Sequence, residues 1–167
     1  GARYNHALVV LESPRRVLVV GGKNDMQYLA TTELLDLETM TFTQGPDLRS
    51  PRTGCAAVTL DERRILVAGG GNKNDGRLKT TELLDIGTMQ FTDGPEMGSW
   101  RIGCTALQLD ARRSLVIGGK DETGLATTEI LDVETMAFLE ENGPSLQSPR
   151  SLLAALMIDP ERALVLG

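Results

Sequence analysis

The sequence predicts an all-β fold of repeated four-stranded antiparallel sheets, and three observations predict it. Twelve residues recur almost unchanged, as "TTELLDLETMTF" from Thr31, "TTELLDIGTMQF" from Thr80 and "TTEILDVETMAF" from Thr127. Landmark residues keep a period close to 49: Arg3, Arg52, Arg101 and Arg150; the "GP" pairs at Gly45, Gly94 and Gly143; the "GG" pairs at Gly21, Gly69 and Gly118. Between the landmarks run short β-rich segments bounded by turn residues, with no stretch of helical period long enough to compete. Residues 1–167 thus divide into complete repeats over 3–51, 52–100 and 101–149 and a partial one over 150–167.

The second repeat shows each element in order. "TGCAAVTL" from Thr53 reads as a first strand, "DERR" from Asp61 as a tight turn, and "ILVAGG" from Ile65 as a second strand. That second strand is apolar on both faces, so it must be buried between layers. The polar stretch "GNKNDGRLK" reads as a surface loop, "TTELLDI" as the third strand, Gly87 and Thr88 as a turn, and "MQFT" as a short outer fourth strand. A lone sheet of this kind cannot shield both faces from water, so copies of it have to stack on one another. Each recurring dodecamer is then a third strand, a turn and a fourth strand meeting the same neighbour as every other copy. Stacking around an axis makes a β-propeller. A linear stack is the alternative, and the "GG" doublet after the second strand favours the radial form.

The pattern resembles the kelch repeat: an Arg opening the first strand, a second strand ended by "GG", an acidic strand "TELLD" and an aromatic near the fourth strand. "PRTGCAAVTLDERRILVAGG" carries the resemblance best, and "RYNHALVV" from Arg3 matches the same first strand with its His6. The likeness covers the entire chain. It implies a sector of a kelch-type propeller, about three and a half blades of a ring that typically has about 4 to 8. The chain departs from the family where a Tyr is usual, with Leu35, Leu84 and Leu131, and where a Trp is usual, with Phe42, Phe91 and Phe138. Such a sector is expected to leave apolar flanks that further blades or a partner chain must cover, and to self-associate when isolated.

Composition narrows the function. With 41% hydrophobic residues in 167 the chain can build a core, and a net charge of −6 argues against a nucleic acid partner. The arginine pairs at Arg15, Arg63 and Arg112 read as solvated turn charges. The longest apolar run, "LLAALMI" from Leu152, falls far short of the roughly 18 to 20 residues of a spanning helix, so no membrane insertion is expected. Cys55 and Cys104 occupy equivalent repeat positions and read as buried, unpaired thiols, which points to an intracellular, cytoplasmic location.

Catalytic groups are scarce. His6, the only histidine, stands where other repeats place Cys55, Cys104 and Leu153, and reads as a packing residue. Copper-radical oxidases share kelch repeats, but His6, Tyr4 and Tyr28 cannot close a copper site, and no Cys or His pair has zinc spacing. Glu33, Glu82, Glu129 and Asp36, Asp85, Asp132 recur in every repeat, so they read as structural pairs, meeting the first-strand Arg of a neighbouring blade or a turn amide. The expectation is a protein without catalytic, cofactor or metal residues.

The leading expectation is a non-catalytic protein–protein interaction module or scaffold. Its partner would dock on the face bearing the loops after the second strand and before the first. There the variable loops 23–30, 72–79 and 120–126 lie beside Arg3, Arg52, Arg101 and Arg150. The resemblance implies that such arginines can hold an acidic segment of a partner; the same residues could instead be occupied by Glu33, Glu82 and Glu129 as braces. Trp100 is either a cap over a sheet edge or an anchor for the partner. Two other readings stand beside this one: a structural subunit with no dedicated site, or a fragment of a propeller enzyme whose catalytic residues lie in missing blades.

Overall fold

A computed structural model of the chain describes residues 2–12, 15–141 and 143–167. Among the described residues there is no helix, and the strands form antiparallel sheets in chain order. The first sheet contains β1 (Ala7–Glu12), β2 (Arg15–Val20), β3 (Thr32–Asp36) and β4 (Thr41–Gln44), side by side in that order. In the second, β5 (Ala56–Thr59) and β6 (Arg64–Ala68) are followed by a separate hairpin of β7 (Gly71–Asn72) and β8 (Gly76–Arg77). Strands β9 (Thr81–Asp85) and β10 (Gln90–Asp93) complete that sheet. The third sheet consists of β11 (Thr105–Gln108), β12 (Arg113–Ile117), β13 (Thr128–Asp132) and β14 (Ala137–Phe138). Strands β15 (Ala154–Asp159) and β16 (Arg162–Leu166) pair as a two-stranded sheet.

The register repeats with the sequence. Val19 faces Glu33, Val67 faces Glu82 and Val116 faces Glu129, and one place along Leu18, Leu66 and Leu115 face Leu34, Leu83 and Ile130. A slip of one residue would turn every apolar side chain to the wrong face, so the pattern holds the register. Because β6 and β12 are buried on both faces, as expected, each middle sheet feeds two cores. Leu18, Val20 and Leu34 of the first sheet share a cluster with Ile65, Val67, Leu84 and Phe91 of the second. Leu66 and Ala68 on the other face of the second share one with Val116 and Leu131 of the third. Ile117 and Leu115 meet Leu153 and the half-buried Val165. Each fully buried Val, Leu or Ile contributes roughly 1.5–3 kcal/mol, so most of the stability lies between sheets rather than within them.

Successive first strands are neighbours, β1 with β5, β5 with β11 and β11 with β15. Just ahead of them runs a relay of main-chain hydrogen bonds: the Gly54 amide donates to the Asn5 carbonyl, Gly103 to Gly54, and Leu152 to Gly103, at 2.7–2.8 Å. All four residues have positive φ, from 55° to 71°. The "GG" doublets serve the same sheet-to-sheet contact. The Gly22 amide donates to the Arg52 carbonyl and Gly70 to Arg101, both at 2.7 Å, and a Cβ on Gly21 or Gly69 would overlap that carbonyl oxygen. The "GP" pairs are held by buried threonines: Thr32, Thr81 and Thr128 donate to the carbonyls of Pro46, Pro95 and Pro144.

Two expectations need correcting. The stretch "GNKNDGRLK" is not a plain loop but contains the β7–β8 hairpin, whose turn is held by the Asn72 side chain accepting from the Asn74 and Asp75 amides. His6 does not pack like Cys55, Cys104 and Leu153; it is exposed, as are Leu8, Val10 and Phe42, because no sheet among the described residues covers that side of the first one. At the other end Leu156, Ile158, Leu164 and Leu166 are exposed as well.

Cys55 and Cys104 are buried and unpaired, and burial pushes their thiols up to about 12 and about 11. Both are therefore neutral thiols in the folded protein at ordinary pH. Iodoacetamide at pH 8 is expected to leave both unmodified in the native chain and to alkylate both in denaturant, read by intact mass. A label on either cysteine without denaturant would contradict this packing.

Candidate functional site

The recurring arginines precede the first strands, and two of them are buried among the core residues. The Arg52 guanidinium donates through Nε to Glu82 at 2.9 Å, through one terminal nitrogen to the carbonyls of Gly69 and Thr80, and through the other to the Thr80 hydroxyl. Arg101 repeats this set on Glu129, Gly118 and Thr127. Arg52 is 2% exposed and Glu82 1%. The pairing runs within one repeat, between the residue entering the first strand and the third strand of the same sheet, and not to a neighbouring sheet as the sequence suggested. The sheets are joined by the arginine's main chain instead: the Arg52 amide donates to the Leu29 carbonyl and its own carbonyl accepts from Gly22.

Each buried glutamate also gathers the linker between repeats. Glu82 accepts from the Arg49 and Ser50 amides at 2.7 and 3.2 Å, and Glu129 from the Gly98 and Ser99 amides at 2.6 and 3.1 Å. Arg3 also pairs with Glu33, but through a terminal nitrogen, at 2.5 Å and in a less enclosed place. Arg150 is half-buried, donates to the Gly167 carbonyl and the Ser148 hydroxyl, and meets no carboxylate among the described residues. The four arginines expected to form one set are therefore not equivalent: three hold glutamates and one does not.

The other recurring acids close turns. Asp36, Asp85 and Asp132 accept from the amides of Thr39, Thr88 and Thr135 at 2.7–3.0 Å. These amide bonds, the largest cause in each case, hold the three carboxyls below their ordinary value of 3.8. The turns place Met40, Met89 and Met136 at φ of 54–55°, which nothing in the sequence pattern announced. Among the described residues no group of three or more His, Cys, Asp or Glu is arranged to hold a metal ion.

Trp100 lies elsewhere, half exposed, on the wall of an open groove of about 880 Å³. The groove is formed by the loop face: Tyr28 from the first repeat, the β7–β8 hairpin from the second, and Asp121, Glu122 and Thr123 from the third, with Ile102 beside Trp100. The loops are stitched to the chain entering the first strands by equivalent bridges, Tyr4 with Lys23, Thr53 with Gly71 and Ile102 with Lys120. Sequence reasoning placed Trp100 and these loops on one face, and the structure brings them together. It did not find the cation–π contacts that stiffen the rim, Lys23 over Tyr4 and Tyr28, and Lys79 at 5.7 Å over Trp100. Arg77 has no acidic partner among the described residues, while Asp75, Asp121 and Glu122 bring three carboxylates to the same groove.

Two outcomes follow from these interactions. Arg52→Ala strands the Glu82 carboxylate in the interior and is expected to lower unfolding stability by roughly 3–5 kcal/mol, with Arg52→Lys recovering little because an ammonium lacks the fork. The shift in the urea midpoint of the two variants measures it, and a loss within the range of surface substitutions would refute the brace. Acid stability follows the aspartates: with folded values below 3.8, their contribution is present above that value and lost as pH falls through the folded ones. Replacing all three with Asn is expected to flatten the fall in melting temperature below pH 3.8.

Comparison with known proteins adds no relative: no protein-family model matches the chain, and no curated protein matches it.

Proposed function

We propose that this chain is a sector of a kelch-type β-propeller that works as a non-catalytic interaction module, seating a segment of a protein partner in the groove at Trp100. Support for the propeller comes from three like sheets in succession, neighbouring first strands, and the relay of main-chain bonds from Asn5 to Leu152. Support for a binding rather than a chemical role comes from the acids themselves. Glu82 and Glu129 are consumed by arginines and linker amides, and Asp36, Asp85 and Asp132 stay ionised as turn acceptors, so none is poised to exchange protons with a substrate.

The observation that carries the docking reading is Trp100 standing half exposed on a concave surface whose rim is braced by hydrogen bonds and cation–π contacts. A large aromatic held in a preformed recess is the usual anchor of a protein interface. The charges lining it that have no ion-pair partner among the described residues are mainly negative, Asp75, Asp121 and Glu122 against Arg77, so a basic segment complements this groove better than the acidic one first expected. A second reading, a structural subunit held at its edges, is favoured by the likeness of the repeated sheets, whose recurring arginines and acids are already bonded to one another.

Trp100 is the only tryptophan, so its emission reports directly on the groove. Titration with hexaarginine, hexaglutamate and a neutral Gly-Ser hexamer is expected to give a saturable change with the first alone. Asp121→Asn with Glu122→Gln should weaken it roughly threefold to tenfold. Equal or better binding of hexaglutamate would overturn the reading, and no response to any peptide would favour the edge-held subunit.

A further inference from the structure

The Trp100 groove does not end at Tyr28. Tyr28 and Asn72 line both this groove and a second recess of about 530 Å³, which lies between the loops of the first and second repeats. Tyr4, Lys23 and Met26 form one wall of that recess, and Lys73 and Asn74 form the other. One path therefore crosses three consecutive repeats, from the loop of the first to the loop of the third. Its two parts, about 880 and 530 Å³, together exceed the roughly 300–1,000 Å³ of a small-molecule pocket, and both are open to solvent. Such a shape suits a length of chain rather than a compact ligand.

The path is preformed, and its charges change sign along it. The three loops are closed by short antiparallel bridges, Lys23 with Tyr28, Gly71 with Arg77 and Lys120 with Gly124. Side chains hold the turns between them: Asn24 accepts from the Met26 and Gln27 amides, Asn72 from those of Asn74 and Asp75, and Asp121 from that of Thr123. Little ordering of the loops then opposes binding. The first recess carries Lys23 and Lys73 against Asp25, and the second carries Asp75, Asp121 and Glu122 against Arg77. None of these makes an ion pair among the described residues. The Lys23 ammonium is held 5.2 and 5.8 Å from the Tyr4 and Tyr28 ring centres, so its charge has a set position. The first recess is thus net positive and the second net negative.

We propose that the loop face binds an extended partner segment with unlike ends, an acidic block over Lys23 and Lys73 and a basic block against Asp121 and Glu122, its neutral middle crossing Tyr28 and Asn72. This rests on the reading of the Trp100 groove as a docking site and adds the second half of the ligand. A uniformly basic segment that fills the acidic recess brings its far end onto the two lysines, which repel it. A segment of the right composition laid down in reverse meets like charge at both ends. The face therefore selects one chain direction as well as one composition.

The test uses the intact chain at low salt, with Trp100 emission as the readout. Four peptides are compared: a triglutamate and a triarginine block joined by Gly-Ser, in either order, and the same two with Gln in place of Glu. Both glutamine peptides are expected to bind through their arginines. One glutamate peptide should bind roughly threefold to tenfold more tightly than its glutamine control, and the one of opposite order no more tightly than its own. Attraction between the two blocks of a peptide is common to both orders, so the comparison of orders is free of it. Lys23→Gln with Lys73→Gln should remove the gain. No gain in either order, equal gains in both, or a gain that survives the two lysine substitutions would each overturn the proposal while leaving the arginine site standing. Failure of the glutamine peptides to bind at all would overturn the docking reading, and this proposal with it. The exchange of Glu for Gln is made in the peptide and leaves the protein unaltered, so the outcome does not depend on how well a variant folds.

Discussion

The architecture depends on a buried ion pair, Arg52 with Glu82 and Arg101 with Glu129, that joins the entry to a sheet with that sheet's third strand. Removing a guanidinium and a carboxylate from water is costly, and the cost is offset only if nearly every donor and acceptor finds a partner. Arg52 and Glu82 meet that condition by recruiting two carbonyls, a hydroxyl and two linker amides. Each recruited group then has to stay where it is. The first glycine of the doublet offers the carbonyl that receives the arginine, the threonine before the third strand supplies carbonyl and hydroxyl, and the linker must pass close enough to donate its amides. The spacing of the repeat is thus the spacing of one satisfied network, and the dodecamers recur because a half-satisfied copy would be worse than none.

The same arginine also ties consecutive sheets, through its main chain rather than its charge. Its amide and carbonyl bond to the preceding sheet while its side chain is bound into its own, so sheet spacing is set by backbone hydrogen bonds of fixed length. Apolar contacts then fill whatever volume that spacing leaves, and they vary more freely. Ile65 and Leu84 oppose one face, Val116 and Leu131 another, and the position of buried Phe91 is occupied in the first repeat by an exposed Phe42, which no sheet among the described residues faces. Polar geometry therefore specifies the arrangement, and apolar burial supplies most of the free energy holding it.

What could be read in the sequence follows from this division. Strand order, the meander within each sheet, the doubly buried second strand and the structural role of the recurring acids were all legible, because they rest on local pattern and turn chemistry. The partner of each arginine was not: a 49-residue period says that Arg52 and Glu82 recur together but not whether the side chain reaches its own sheet or the next. The β7–β8 hairpin was missed because Asn72 and Gly76 are turn residues in any loop, and only the bridge from Thr53 to Gly71 aligns their flanks. The exposure of His6 was missed for the opposite reason, since equivalence of position was taken for equivalence of surroundings. Of the candidate site, Trp100 and its loops were legible as one face, whereas the inequality of the four arginines required knowing where carboxylates stand.

The division between repeated and unrepeated residues also separates structure from recognition. Whatever the repeats share is already bonded: arginines to glutamates, aspartates to turn amides, threonines to the proline carbonyls. A partner cannot use such a group without first displacing an internal ligand, and the displaced carboxylate would be left in the interior. Residues that differ between repeats carry no such debt. Tyr28, Arg77, Trp100 and Glu122 have no counterparts of the same type in the other repeats, and they meet in one groove because the framework brings three unlike loops to the same face.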